Sequence, residues 1–459
     1  MDRMLFYSTN DAERSSCVSI REALLLGQAP DRGLYLPERF PTVQREELTG
    51  YAEMSYAEIA FRILSRYTAG VLDDDVLFEL CKDAYSFEVP LEPVQGSGKA
   101  HILRLDQGPT ASFKDFAARM MARLISRFIR ESGKELTILT ATSGDTGAAV
   151  ASAFSGVPGI KVVVLFPIHE VSRRQRLQMT TLGGNVTCLA IDGKFDDCQA
   201  MVKRAFADSA LRNRLNISSA NSINIGRLLP QSVYYFYAAS RINKTLKEPL
   251  LFSVPSGNFG DMMGGMIAWK MGLPIKKMLV PVNENDAFPT YLTTGDYQKI
   301  EPSRNCVSNA MNVGHPSNLA RLVQLYGGHM DESGHIRKPI DLNALRRDIF
   351  SISVSDEETR QTIIDVWNNK KLLLEPHGAV AWKGYESWIN NHPEDAALPA
   401  AILETAHPAK FHEEMERLLG FEPELPPSLA LLDHSSETYS QMQVNYDTFK
   451  EFLLSRVSK

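Results

Sequence analysis

The chain has 459 residues, of which 44% are hydrophobic and 23% charged, with a net charge of −6. This is ordinary globular composition, long enough for two or three packed units. The negative balance gives no electrostatic reason to expect a nucleic-acid partner. The opening residues MDRMLFYSTN hold no apolar run of the signal-peptide kind, and the longest apolar stretches, such as 162–168, are far too short to cross a bilayer. Cys17, Cys81, Cys188, Cys198 and Cys306 form no CxxC pair, and the ten histidines show no HExxH spacing. The expectation is a reduced, cytoplasmic protein without a metal or a membrane partner.

Residues 1–95 read as a mostly helical leader. Ser19 is placed to cap a helix over IREALLLG, which Gly27 ends. The segment APDRGLYLPERF, broken by Pro30, Gly33 and Pro37, reads as a loop, and SYAEIAFRILSRYT gives a second helical pattern. Lys114 opens a further helix, KDFAARMMARLISRFI. From Leu136 the pattern changes. LTILTA, KVVVLF and NVTCLAI read as strands, alternating with helices in AAVASAF, VSRRQRLQMTTLG and FDDCQAMVKRAFAD. LLFSVP and KKMLVPV repeat the theme around a helix near 261–271. Short continuous apolar strands alternating with helices indicate βαβ units and parallel sheets covered on both faces. Such folds bind ligands where strand carboxyl ends lead into helix starts.

Three loops stand out. In GPTASFKDFAAR (108–119), Lys114 lies at a helix start, where a cation is disfavoured and the amine pKa depressed, as a Schiff-base lysine requires. Alone, it reads more readily as a solvated surface lysine. ATSGDTG (141–147) offers hydroxyls, two glycines and backbone N–H groups at a helix start, which suits an anion. It reads equally as an ordinary turn capped by Asp145 or Thr146. In SGNFGD (256–261), Gly257 and Gly260 permit close backbone approach to a phosphate, although neither GxGxxG nor GxxxxGK[ST] is present.

Taken together, SFKDFAAR, TSGDTGAA, NSINIGRLLPQ, PSGNFGD, SNAMNVGHPSN and LETAHPAKF, in this order over 112–411, resemble the pyridoxal-phosphate enzymes of the tryptophan-synthase-β fold group, and within it the threonine synthase family. The leader VSIREALLLGQAPDRGLYLPE is similar to that family too. The resemblance implies pyridoxal-phosphate fold type II: two parallel-type α/β sheet domains with a helical N-terminal region. The expected division is 1–95 as that region, 96–130 with 250–459 as a larger cofactor-binding unit, and 131–249 as a smaller one.

The resemblance also implies roles. Lys114 is the lysine that carries the cofactor and moves protons. Ser256, Gly257, Asn258, Phe259 and Gly260 hold the cofactor phosphate, and Thr405 faces the pyridine nitrogen. Asp145 stands near the 3′-oxygen, where many relatives have asparagine. Thr142, Ser143 and Thr146 would cradle the substrate. Arg119, Arg227, Ser308, Asn309 and Asn312 are candidate donors to a substrate phosphate, each readable also as a cap, turn or ion-pair residue. His315 and His407 read as loop-packing residues. The implied reaction converts O-phospho-L-homoserine and water to L-threonine and phosphate, in a monomer or homodimer. A phospholyase or serine/threonine dehydratase giving 2-oxobutyrate is the alternative, and a non-catalytic relative is disfavoured by the intact Lys114.

Overall fold

The apolar runs form two parallel sheets, seen in a computed structural model that describes residues 3–432 and 435–457. One sheet has the strand order Ser440–Gln443, Val186–Asp192, Ile160–Pro167, Leu136–Ala141 and Ile217–Ser219, with every pairing parallel. The other runs Ile349–Phe350, Ile275–Leu279, Leu250–Ser253, Ala400–Glu404 and Ala100–Arg104 in parallel, and Leu91–Pro93 adds an antiparallel edge. Helices cover both faces. For that reason Leu136–Ala141 and Ala400–Glu404 are buried at every residue, and no polar–apolar alternation shows in their sequence.

The leader follows its caps. Ser19 and Glu22 form a capping box on helix Ile20–Leu26, and Gly27 ends it at a positive φ of 73°. Ser55 and Glu58 do the same for Tyr56–Thr68, which buries Ile59, Ile63 and Tyr67 along one face. The leader is not only helical. Leu5–Ser8 pairs antiparallel with Val18–Ser19 and with Tyr35–Pro37. Tyr35–Pro37 lies inside the stretch expected to be a loop. Tyr35 and Leu36 are fully buried, and that packing overrides the breakers around them.

The expected division of the chain shifts at two places. Ser440–Gln443, assigned with the larger unit, completes the sheet of the smaller one by pairing with Val186–Asp192. Without it that strand would present an open edge. Glu437 leads in, taking two hydrogen bonds from Arg176 at 2.8 and 3.0 Å, and Phe449 follows it into the core beside Cys198 and Val202. Helix Ser232–Ile242, assigned with the smaller unit, packs on helix Gly260–Lys270 of the larger one. Among the described residues no helix is long and apolar enough to cross a membrane.

The Ser55 cap is remote from the cleft described below and tests the leader's stability alone. Ser55→Ala should cost about 1 kcal/mol in urea denaturation, and Ser55→Asn should recover most of it.

Candidate active site

The carboxyl ends of both sheets face one cleft, where ligands of parallel α/β folds bind. Lys114, Thr142, Ser143, Asp145, Thr146, Arg227, residues 256–260 and Thr405 all line it. Helix Lys114–Ser132 points its first residue into this space. The Phe113 N–H donates to the Thr405 carbonyl at 2.9 Å, which ties the helix start to the end of strand Ala400–Glu404.

Lys114 is 11% exposed, with Nζ 3.8 Å from Asp145 Oδ2 and 4.5 Å from the centre of the Phe113 ring. Burial pushes its ammonium down to about 8; Asp145 opposes this, while Lys410 and Arg227 reinforce it. Burial, more than the helix start, is thus the main lever on this amine. Asp145 is the first residue of helix Asp145–Phe154, with Gly144 in the N-cap position. Its Oδ1 accepts from Lys410 Nζ at 2.6 Å and Gln175 Nε2 at 2.9 Å. Burial alone would raise its carboxyl pKa, but the two ammonium groups hold it well below the usual carboxylate range.

The loop 256–260 follows strand Leu250–Ser253 and turns at Phe259, whose φ of 62° is left-handed. For a phenylalanine this is strained backbone, found where a site requires a particular direction of the chain. The turn exposes the unsatisfied N–H groups at the start of helix Gly260–Lys270 to the cleft, a favourable seat for an anion. The loop is held from behind by Asn318, which donates to the Asn258 carbonyl at 2.9 Å. Arg321, wholly buried, in turn donates to Asn318 Oδ1 and to the carbonyls of Tyr35, Ser222 and Ile223.

Arg227 is also wholly buried. Nη1 donates to the Ala220 carbonyl at 2.6 Å, Nε has no hydrogen-bond partner, and burial lowers its pKa to about 10. Gln231 Oε1 and Asp261 Oδ2 are likewise buried, unpartnered and on the cleft wall. Asp261 Oδ1 accepts from the hydroxyls of Tyr234 and Tyr235 at 2.5 and 2.8 Å, and burial raises its carboxyl pKa to about 6. Buried polar atoms without partners mark a place shaped for a polar ligand.

Four residues expected at the substrate phosphate are otherwise engaged. Arg119 points away, donating to the carbonyls of Asp83 and Ala84 at the end of helix Asp74–Ala84. Ser308 Oγ and Asn312 Oδ1 accept from Asn283 Nδ2 at 3.2 and 3.0 Å, so both shape their own loop. Asn309 Nδ2 donates to Gln175 Oε1 at 3.2 Å, leaving its buried Oδ1 unpartnered. From this loop it is Ala310 and Met311 that reach the cleft. Thr142 Oγ1 accepts from the N–H groups of Gly144 and Gly147 at 2.9 and 2.8 Å and fixes the turn. His315 bonds Tyr297 at 2.6 Å, and His407 accepts from the Ala409 N–H, both as loop-packing residues.

The structure adds residues that the sequence did not single out. His377 lines the cleft at the start of helix Pro376–Asn391. Its Nδ1 lies 2.5 Å from Glu375 Oε2, and its Nε2 accepts the Ala310 N–H at 3.1 Å, which places the ring proton on Nδ1. Thr405 Oγ1 is 3.5 Å from Glu375 Oε1. The E-P-H run is legible only as a helix start, with Glu375 the cap and Pro376 the first residue. Lys410, the single lysine of LETAHPAKF, gives no local signal at all.

A depressed amine, an anion seat at a strained turn, and a buried Arg227 N–H without a partner fit a phosphorylated aldehyde cofactor. A profile of the pyridoxal-phosphate-dependent enzymes matches residues 89–396, which makes the chain an enzyme of that class, with pyridoxal phosphate as its cofactor and fold type II as its architecture. Profiles of the threonine synthase N terminus and C-terminal part match 5–85 and 378–453. Threonine synthase of Haemophilus influenzae is 39% identical over 95% of this chain and 97% of its own length; that of Escherichia coli is 38% identical over 93% and 94%. The crystal structure of the Escherichia coli enzyme superposes with a TM-score of 0.88 at 34% identity, covering 98% of this chain and 99% of that one. A pyridoxal-phosphate-bound threonine synthase from Brucella melitensis gives 0.87 at 33%, covering 98% of both. The chain belongs to the threonine synthase family.

A side chain at Gly257 would meet Met311 Cα at 2.9 Å and the Ala310 carbonyl at 3.0 Å. Both are backbone atoms that cannot swing aside. Gly257→Val should therefore displace the loop 308–312 and strip the cofactor on dialysis, as read from its absorbance, whereas Ser256→Ala should keep it. Full occupancy in a folded Gly257→Val protein would count against the cradle.

Proposed function

We propose that the protein converts O-phospho-L-homoserine and water to L-threonine and phosphate, and that Lys114 is the residue on which the reaction turns. The observation that carries this reading is a buried lysine with a depressed pKa beside an anion seat, joined by a second buried cation, Arg227, whose hydrogen bond goes to a carbonyl rather than a carboxylate. A substrate with a carboxylate and a phosphate needs such donors. Pyridoxal phosphate, when bound, withdraws electrons from the substrate and so acidifies its α- and β-carbons.

The chain's own residues do the rest. Backbone N–H groups of 256–260 would hold the cofactor phosphate, and Thr405 would face the ring nitrogen with a hydroxyl in place of a carboxylate. Lys114, neutral in a useful fraction near pH 8, takes up and returns protons at Nζ. Ser143, Thr146 and the first N–H groups of helix Asp145–Phe154 lie where a substrate carboxylate can be bound. Arg227 is placed to retain the departing phosphate next to the β-carbon, and the walls from both sheets limit bulk water. Arg119, Ser308, Asn309 and Asn312 leave the set of direct donors: Asn309 Nδ2 is engaged by Gln175 Oε1, and its unpartnered Oδ1 can only accept. Unpaired thiols at all five cysteines fit a cytoplasmic location.

Borohydride treatment of the holo-protein should fix the cofactor to the Lys114 peptide, and Lys114→Ala should abolish turnover. Wild-type protein given O-phospho-L-homoserine should release threonine and phosphate in equal amounts with little 2-oxobutyrate. Arg227→Gln should lower kcat/KM by about tenfold to a hundredfold, the worth of one charged hydrogen bond, and raise the share of 2-oxobutyrate. Mainly 2-oxobutyrate from the wild type would replace this reading with a phospholyase.

A further inference from the structure

Lys410 is a fully buried cation that the reaction described above does not use. It lies within the turn Pro408–Phe411 and has a side-chain exposure of 0%. Its Nζ donates to Asp145 Oδ1 at 2.6 Å and to the Thr110 carbonyl at 2.9 Å. Thr110 is in turn fixed by Asp115, the residue after Lys114, through Oγ1 at 2.7 Å and N–H at 2.8 Å. Lys410 is thereby held in register with the start of the Lys114 helix.

Two ammonium groups thus share one carboxylate, and unequally. Lys410 sits at hydrogen-bond distance, Lys114 at 3.8 Å on the other oxygen. A buried carboxylate with a single ammonium partner holds that partner's proton firmly. If Asp145 had Lys114 alone, the amine would stay charged, and a charged amine neither bonds to an aldehyde carbon nor takes up a proton. With Lys410 closer, the carboxylate is already neutralised.

We propose that Lys410 is a positioning residue that keeps Lys114 free to lose its proton by acting as the standing counter-ion of Asp145. This rests on Lys114 being the reactive amine. The groups that face the pair are few: Arg227 and Glu375 act on Lys114, Asp261 faces it from helix Gly260–Lys270, His377 faces Asp145, and Asp115 and His407 face Lys410. The directions agree with the geometry. Asp145 pushes the Lys114 pKa up, and Lys410 pushes it down. Removing the Lys410 charge takes away the downward push and leaves Asp145 to Lys114 alone, so the pKa of the amine rises and its neutral fraction at a given pH falls.

The test uses full-length protein freed of cofactor. Reductive methylation with formaldehyde, followed at the Lys114 peptide by mass spectrometry across pH, reads the titration of this amine with no cofactor present. The association rate of pyridoxal phosphate is the second readout. In Lys410→Met the methylation midpoint should move up by on the order of one pH unit, and association at pH 7.5 should slow about tenfold. Lys410→Arg, which keeps the charge, should stay near the wild type. Asp145→Asn should move the midpoint down, and in that background Lys410→Met should raise it by less. A folded Lys410→Met with the wild-type midpoint overturns the proposal, as does Lys410→Arg shifting as far as Lys410→Met. If Lys410→Met does not fold, an unchanged midpoint in Asp145→Asn overturns it. A failure of the underlying reading shows separately, as borohydride labelling on a lysine other than Lys114.

Discussion

An amine that must shed its proton inside a protein needs low polarity around it, while the anions it works beside need positive charge. The structure meets both demands by burial with unequal pairing. Lys114 is sunk at a helix start and loses charge to desolvation, while Arg227, Arg321 and Lys410 stay buried as cations bound mainly to carbonyl oxygens. Among the described residues Asp145 is the one carboxylate within ion-pairing distance of Lys114, and it is satisfied by another lysine. The two sheets serve this arrangement. Each delivers loops at its carboxyl edge, and the Lys114 helix lies between them with its N-terminus at their meeting point.

The anion side is built on the same logic with backbone groups. The left-handed turn at Phe259 is kept by Asn318 and, behind it, by Arg321. A guanidinium that donates to four oxygens, none from a carboxylate, keeps its net positive field, and that field extends toward the loop 256–260. The strain at one residue is thus carried by a rigid hydrogen-bonded layer rather than by the loop itself.

The sequence revealed the parts whose chemistry is local. Buried parallel strands read as apolar runs, Ser19 and Ser55 read as caps, and the loops around Lys114, Asp145 and Gly257 read as strand-to-helix turns because each carries its own glycine or hydroxyl punctuation. What was hidden depends on long-range contact. Lys410 is an ordinary lysine until the fold brings it to Asp145, and Gln175 an ordinary helix residue until it meets Asp145 and Asn309. Arg119 lay in a motif with Lys114 but projects to the opposite side of the same helix, because five positions are nearly a turn and a half. Ser308 and Asn312 flanked the right segment while the backbone between them turned inward. Tyr35–Pro37 escaped notice because its breakers are obvious and its buried partners are distant in sequence.

The strand Ser440–Gln443 has a consequence for the order in which the molecule is made. Its partner, Val186–Asp192, leaves the ribosome some 250 residues earlier, and helix Arg173–Thr180, which carries Gln175 to Asp145, waits on Glu437 for its ion pair. The smaller sheet therefore cannot close until this strand has been made, and until then it exposes an edge that could pair with another chain. A nascent chain halted just before Glu437 would contain Lys114, the loop 256–260 and Thr405, yet lack the ion pair on the helix that brings Gln175 to Asp145. Closing of the smaller sheet thus waits on a strand made after every residue that lines the cleft.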